Sequence, residues 1–357
     1  MVARTQWYLI YRQFKKHKLA VIGLVILIIF YGAGVILPEF CAPYGKFTEF
    51  ENTYLPPQPI TFVDGEGDFT LRPHTYEWKK EMDPDTWQTT YSIDESKPLP
   101  IQFFVKGEEY KILGLFETDL HLFGLAEGKI FLFGTDDLGR DLLSRIFYAL
   151  RISLTIGFVG VGISFVLGMI LGGLSGLIGG VTDDLIQRII EMLMSIPRIP
   201  MWMALAAAVP QGWSALQVYF AITVILSLMG WTGLARVIRS KILSIREEDF
   251  VKAAESFNAS TSQIISRHLF PNMVSYIIVQ LSLTIPGMIL AETSLSFLGI
   301  GLRPPVVSLG VLLQRAQNFQ TVSMHPWLLI PGLFVVIAVL AFNFVGDGLR
   351  DAADPYN

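Results

Sequence analysis

The chain alternates long apolar runs with short polar connectors, and two polar stretches interrupt that rhythm. Apolar runs extend from about Leu19 to Leu37, Ile152 to Ile178, Leu185 to Val209, Val218 to Ala235, Met273 to Phe297 and Trp327 to Val345. A helix of about 19 residues is roughly 28 Å long, close to the roughly 30 Å of a bilayer's hydrocarbon core. The pattern therefore predicts six membrane-spanning helices. Gly168, Gly172, Gly176 and Gly180 recur every fourth residue and give the second run one smooth face for close packing. The third run holds Pro197 and Pro200, each of which removes a backbone donor that neighbours or water must compensate. Just before the second run, Leu142, Leu143, Ile146, Phe147 and Leu150 predict an amphipathic helix lying at the outer membrane surface.

The first polar stretch covers residues 39–133. Ile60 to Val63 and Phe69 to Leu71 flank Asp64-Gly65-Glu66-Gly67; Ile101 to Val105 and Tyr110 to Leu113 flank Lys106-Gly107-Glu108-Glu109. Both patterns predict β-hairpins. Seventeen acids against eight Lys/Arg suit a position outside the membrane, and the aromatic and apolar content argues against a disordered loop. The expectation is a small β-rich extracytoplasmic domain.

The second polar stretch, Val237 to Asn272, contains Arg239, Lys241, Arg246, Lys252 and Arg267 with Glu247, Glu248, Asp249 and Glu255. It predicts two or three short helices broken at Asn258 and Pro271. Such a loop suits a docking site for a soluble partner, with an ordinary solvated connector as the alternative. The N-terminal residues add Arg4, Arg12, Lys15, Lys16 and Lys18, with Trp7, Tyr8, Tyr11 and Phe14 at helical spacing, a tail suited to the inner membrane surface. Six spans put this tail, the basic loop and the C-terminus on the cytoplasmic side, as the positive-inside rule requires.

Composition narrows the function. Apolar residues make up 52% of the chain and charged residues only 16%, against about 25% charged in soluble domains. A single cysteine, Cys41, excludes an internal disulfide and a multi-cysteine metal site. Pro38-Glu39-Phe40 before it lacks the small residues of a lipoprotein cleavage site, and the first run is too long for a signal-peptide core, so it is expected to stay as an anchor. No Gly-x-x-x-x-Gly-Lys-Ser/Thr phosphate loop, no His-Glu-x-x-His and no visible nucleophile–base pair occur, and the five histidines are scattered. Transport, rather than catalysis, is the expectation. Charges inside the runs are few: Arg188 and Glu191, three apart, then Arg198 and Glu292. A charge at mid-bilayer costs about 2.5–3.5 kcal/mol on insertion scales, so these groups should face a pathway, a partner helix or interfacial water. They are compatible with an ion-coupled carrier as well.

The loop also resembles a known pattern. Permeases of binding-protein-dependent importers carry Glu-Ala-Ala, three residues, Gly, nine residues, Ile, any residue, Leu-Pro. Here Lys252-Ala253-Ala254, Asn258, His268, Phe270 and Pro271 keep that spacing. Lys252 stands for Glu and Asn258 for Gly, and Asn is the next most tolerant residue for a left-handed turn. Arg267 to Asn272 resembles the Arg-His-x-x-Pro-Asn segment of dipeptide and oligopeptide permeases. Gly134 to Asp141, Glu292 to Gly299, and Gly346 to Ala352 with Asp354-Pro355, resemble further segments of one subunit type of that family. The resemblance covers residues 1 to about 58 and 134 to 357; the stretch from Pro59 to Phe133 departs from relatives, which usually have a shorter loop.

The resemblance implies an all-α polytopic permease of the type I ABC importers with six transmembrane helices; the β-rich extracytoplasmic insertion between the first two is the expectation from this chain's own residues. Residues 1–38 form the tail and first helix, 39–133 the insertion, and 134–357 a five-helix core with a coupling loop at 237–272. It implies that Val251, Lys252, Ala253, Ala254, Glu255, Ser256, Phe257, Asn258 and Pro271 couple to the ATPase, and that Glu292, Pro286 and Met288 are candidates for the pathway. It implies no cofactor in this chain, and ATP and Mg on partner subunits. The partners are a second permease subunit, two ATPase subunits, an extracytoplasmic solute-binding protein and membrane lipid, with no nucleic acid. The expected location is the plasma (inner) membrane, with both termini cytoplasmic. Peptides are the expected cargo, with oligosaccharides the alternative within the family. An ion-coupled transporter and a membrane-tethered β-domain with a receptor or adaptor role are the readings from other classes.

Overall fold

The computed structural model describes residues 6–63, 69–82, 89–257, 263 and 270–353. Five helical stretches among them are long and apolar enough to cross a membrane: Lys18–Ile36, Leu142–Ile178, Ala215–Arg246, Tyr276–Phe297 and Pro326–Ala352. A sixth region fits only if a bent helix pair, Gly180–Ser195 and Arg198–Ala207, counts as one span.

The helices are, in chain order, α1 (Gln6–Phe14), α2 (Lys18–Phe30, continued by a π-helical turn Tyr31–Ile36), α3 (Pro38–Cys41), α4 (Leu142–Ile178), α5 (Gly180–Ser195), α6 (Arg198–Ala207), α7 (Ala215–Arg246), α8 (Asp249–Ser256), α9 (Phe270–Phe297), α10 (Leu309–Gln314), α11 (Phe319–Met324) and α12 (Ile330–Ala353). Contacts divide the chain into two compact units. One comprises residues 1–27, 155–302 and 336–357; the other comprises 28–154 and 303–335.

In the first unit, α4 and α7 pack at backbone distance. A Cβ added at Gly172 would lie 2.5 Å from the Ala235 carbonyl oxygen, and one at Gly176 would lie 3.0 Å from Ile242 Cβ. The glycine face is thus filled by another helix of the same chain. Gly180 is not part of that contact: its φ is +55° and its surroundings are open. Two serines add hydrogen bonds across the seam, Ser227 Oγ to the Gly160 carbonyl (3.0 Å) and Ser164 Oγ to the Ser227 carbonyl (3.1 Å).

The third apolar run, expected as one continuous span, is broken. The axes of α5 and α6 differ by 88°. Ile196 is extended (φ −90°, ψ 130°) before Pro197, as steric clash with a following proline ring demands. Pro200 then falls in the first turn of α6, where its missing N–H costs nothing.

The second unit contains a four-stranded antiparallel meander, β1 (Thr61–Val63), β2 (Phe69–Met82), β3 (Thr89–Ile112) and β4 (Phe116–Leu125). The first half of β3 pairs with β2 (Trp78 opposite Ile93), and the second half pairs with β4 (Phe103 opposite Phe123). The turn between β1 and β2, at 64–67, lies outside the described residues. The turn expected at Lys106 to Glu109 is not a turn. β3 runs through it with a register shift between Lys106 and Tyr110, and the chain reverses at Leu113 and Gly114, where φ is +51° and +74°. A tether explains the bulge. Glu108 accepts from Gly45 N (3.0 Å) and Thr48 Oγ1 (2.9 Å), and the buried His121 ring contacts the Ala42 and Glu108 carbonyls at 2.6 and 3.0 Å.

The amphipathic stretch 142–150 is not a separate surface helix either. It is the first part of α4, and Leu142, Ile146 and Leu150 are buried in protein. The segment before it, Gly134 to Asp141, is a knot of hydrogen bonds. Asp136 accepts from the backbone of Leu138 (2.9 Å) and Arg140 (3.0 Å) and from Arg140 Nε (2.9 Å), and pairs with Arg145. Thr135 Oγ1 accepts from Leu55 N (2.8 Å) and donates to the Asn52 carbonyl (2.7 Å). Asp141 caps α4 through the Ser144 N–H (2.7 Å).

Candidate functional site

Ser214 starts α7 with a capping box: its Oγ accepts from Gln217 N, and Gln217 Oε1 accepts from Ser214 N (2.8 Å). The helix runs on to Arg246, so residues 237–246, expected as part of a loop, are its last turns. The chain then reverses within a few residues, with Glu248 N donating to the Ile245 carbonyl (3.0 Å) and Val251 N to the Glu248 carbonyl (3.0 Å). This starts the short helix α8.

Among the described side chains of α8, Val251 seats the helix. Val251 is fully buried in a cluster with Leu234, Ile238 and Ile242 of α7 and Met273 and Ile277 of α9. Full burial of a valine contributes about 1.5–3 kcal/mol, enough to hold a two-turn helix that could not persist alone. Lys252, Ala253, Ser256 and Phe257 are exposed. Phe257, at 88% exposure, is an apolar knob in solvent. Lys252 pairs with Glu247 at 3.3 Å, and Ser256 Oγ donates to the Lys252 carbonyl (2.9 Å). Ala254 and Glu255 belong to the same helix, and Pro271 to the first turn of α9. Asn258 lies outside the described residues, as does His268. The structure thus gathers Val251 to Ser256 on one helix packed between the ends of α7 and α9.

Close by in sequence, Arg239 of α7 makes a bidentate contact with Asp183 of α5, with Nε 2.6 Å from Oδ1. Asp183 also accepts from Ser175 Oγ. The sequence reading missed this pair, because two residues so far apart carry no joint signal in a single chain. Arg188 and Glu191 do pair, at 3.1 Å, on an exposed face.

A cavity of about 200 Å³ opens among α4, α6, α7 and α9. Its polar lining is Ser164, Arg198, Trp202, Gln280 and Thr284; the rest is apolar or glycine, with Met288 among it. Met288 is therefore a cavity residue. Pro286 is buried in α9, where it removes one backbone donor, and does not line the cavity. Glu292 does not line it either. It is fully buried one turn before Ser296, whose Oγ donates to it (2.8 Å) and accepts from Leu302 N (3.0 Å), which knits the end of α9 to the loop that follows. Among the described residues, no group of three or more His, Cys, Asp or Glu could hold a metal ion.

Residues 138–356 match the family described as binding-protein-dependent transport system inner membrane component. Residues 5–57 match the N-terminal TM domain of oligopeptide transport permease C. The chain is 41% identical over 225 residues to the dipeptide transport system permease protein of Bacillus subtilis, covering 62% of this chain and 68% of that protein. It is 42% identical over 243 residues to the oligopeptide transport system permease protein of Haemophilus influenzae, covering 67% and 75%. Among solved structures, the inward-facing MetNI methionine ABC transporter aligns over 58% of this chain and 95% of that chain, at 21% identity and a TM-score of 0.46.

Proposed function

We propose, because the chain belongs to the family of inner membrane components of binding-protein-dependent transport systems, that it is a permease subunit of an ATP-driven importer of peptides. It is a multi-pass inner membrane protein. The peptide cargo rests on the dipeptide and oligopeptide permeases to which it is similar; oligosaccharide cargo and ion coupling have no comparable support. In this reading, the fold is that of type I importers and the bent pair α5–α6 is the third of six spans. Both termini and the 237–272 region are cytoplasmic, and the sheet of residues 61–125 is extracytoplasmic. A second permease, two ATPase subunits and a solute-binding protein complete the assembly, with ATP and Mg on the ATPases.

The observation that carries the mechanism is α8. A short helix seated by the buried Val251 between α7 and α9, with Lys252, Ala253, Ser256 and Phe257 exposed, suits a lever. Force applied by an ATPase to Val251 through Phe257, with Asn258 and Pro271 bounding the linker to α9, passes to both long helices through Val251. Those helices line the cavity, so their tilt changes its access. The test is reconstitution of the full importer with Ala254→Arg or Glu255→Arg. Both variants should insert and assemble, hydrolyse ATP, and fail to couple hydrolysis to peptide uptake. Wild-type uptake with wild-type stimulation of hydrolysis in both would rule the role out.

A further inference from the structure

Arg198 lines the cavity among α4, α6, α7 and α9. Among the described residues it forms no ion pair, and none of the residues lining the cavity is an acid. The same cavity is lined by Trp202, whose buried Nε1 has no hydrogen-bond partner among the described residues. Arg198 and Trp202 are four apart on α6, hence neighbours on one helix face. Arg198 is also the first residue of α6, at the positive end of that helix dipole. Gln280 adds an amide from α9, while the Thr284 hydroxyl is already committed to the Gln280 carbonyl at 2.7 Å. The lining is otherwise apolar: Val161, Leu226, Met229 and Met288 are examples. Arg198 is exposed and so accessible to an anion that enters the cavity, and a buried indole N–H without an acceptor forfeits a hydrogen bond.

We propose that this cavity is a carboxylate-reading site in the permease, in which Arg198 and the Trp202 indole bind the free C-terminal carboxylate of the cargo peptide during passage. This rests on the peptide reading given above. A carboxylate matches the planar fork of a guanidinium with two parallel hydrogen bonds, and leaves an oxygen lone pair for the indole N–H. The apolar lining then holds the last side chain of the peptide without selecting its identity, as a carrier of varied peptides requires. The cationic pocket confers a preference for chain ends that no amount of apolar contact supplies, because only the terminus of a peptide carries that charge independently of sequence.

The assembled importer in proteoliposomes, with its ATPases and binding protein, tests this. Uptake of one labelled peptide with a free C-terminal carboxylate is compared with uptake of its C-terminal amide, each at a concentration that saturates the binding protein. The wild type should favour the acid, and Arg198→Gln should lower the acid-to-amide uptake ratio about tenfold, the effect of losing one charge-assisted hydrogen bond. Should Arg198→Gln fail to assemble, Trp202→Phe removes the indole donor alone, and a fall in the same ratio supports the site. A wild type that carries acid and amide equally, or variants with an unchanged ratio, overturns the carboxylate site while leaving the peptide reading intact. Absence of any peptide uptake by the wild type overturns the peptide reading and this site with it.

Discussion

Gly172 of α4 lies against the backbone of Ala235 of α7: a Cβ at position 172 would stand 2.5 Å from the Ala235 oxygen and 2.9 Å from its Cα. Backbone cannot rotate away as a side chain can, so even a methyl group forces the helices apart. Gly172→Ala is expected to lower the unfolding temperature in detergent, and Gly172→Leu to abolish the yield of folded protein, in line with overpacking costs of about 1–3 kcal/mol or more. The adjacent Gly173 has no neighbour within 4 Å of its own Cβ position, so Gly173→Leu is the control and should be tolerated. Equal behaviour of the 172 and 173 variants would show that the α4–α7 seam is not what the glycines serve.

Five of the six expected spans were readable in the sequence because each rests on a local run of apolar residues, and the glycine face because its period matches the helix. What filled that face was not readable: Ala235 is distant in the chain. The prolines at 197 and 200 were visible, yet a kink and an 88° break carry the same sequence signal; the extended Ile196 decides between them. Lys106 to Glu109 has turn composition, but the tether through Glu108 and His121 to residues 42–48 uses it as a bulge, and only the fold brings those partners together. At the candidate site, α8 was legible through its motif and through Val251 at the start of a polar helix. The ion pair of Asp183 with Arg239, and the place of Arg198 and Gln280 in one cavity lining, depend on packing alone.

Asp141 caps α4 from a fully buried position. Desolvation by burial pushes its carboxyl up to about 7 from an ordinary 3.8, even though the Ser144 N–H favours the charged form. Between those two values the folded chain holds a proton that the unfolded chain releases, so this group's contribution to stability is present at low pH and lost as pH rises towards 7. Nearby Asp136 is held low by Arg145 and Arg140 despite its own burial, and acts in the opposite sense at lower pH. Asp141→Asn keeps an acceptor for the cap and removes the titration. Its unfolding temperature, followed from pH 5 to 8, should decline less than that of the wild type. Parallel curves would mean that the Asp141 carboxyl titrates at its usual position.

Among the described side chains of α8, Val251 is the buried one, packed on Leu234, Ile238, Ile242, Met273 and Ile277. Val251→Ala removes about two methylene equivalents of burial, about 1.5 kcal/mol, and should weaken the coupling of ATP hydrolysis to uptake in the assembled importer. Val251→Asp puts a carboxylate into that cluster and should eliminate coupling, while the protein still reaches the membrane, because the long helices pack through other residues. Val251→Ile should be close to neutral. Full coupling in Val251→Asp would separate α8 from force transmission.

The sheet of residues 61–125 offers the last test. Contacts that fix it to its neighbours in the same unit include the Gln58 amide donating to the Tyr76 and Lys129 carbonyls (3.3 and 3.2 Å), the Tyr91 hydroxyl donating to the Thr53 carbonyl (2.8 Å), the Phe40–Phe104 ring pair, His121 reaching Ala42, and Glu108 reaching Gly45 and Thr48. The buried Phe131 and Ile130 beyond it belong to the base, tied by the Gln58 and Tyr44 side chains. The sheet exposes both acids and apolar groups, Phe103, Phe104, Leu115 and Phe116 among them. As proposed above, it is extracytoplasmic, and we expect it to contact the solute-binding protein or to cover the outer mouth of the pathway. Replacing residues 60–127 with a Gly/Ser linker keeps that base and should leave helix assembly intact. Uptake should fall most when binding protein is limiting. The acids, seventeen against eight bases over 39–133, should make the docking salt-sensitive, since the Debye length falls to about 8 Å at physiological ionic strength. Reduced uptake at limiting binding protein, restored by excess binding protein, identifies a docking element. Uptake that is unchanged at every concentration of binding protein would remove the docking role and leave the sheet as a cover or spacer.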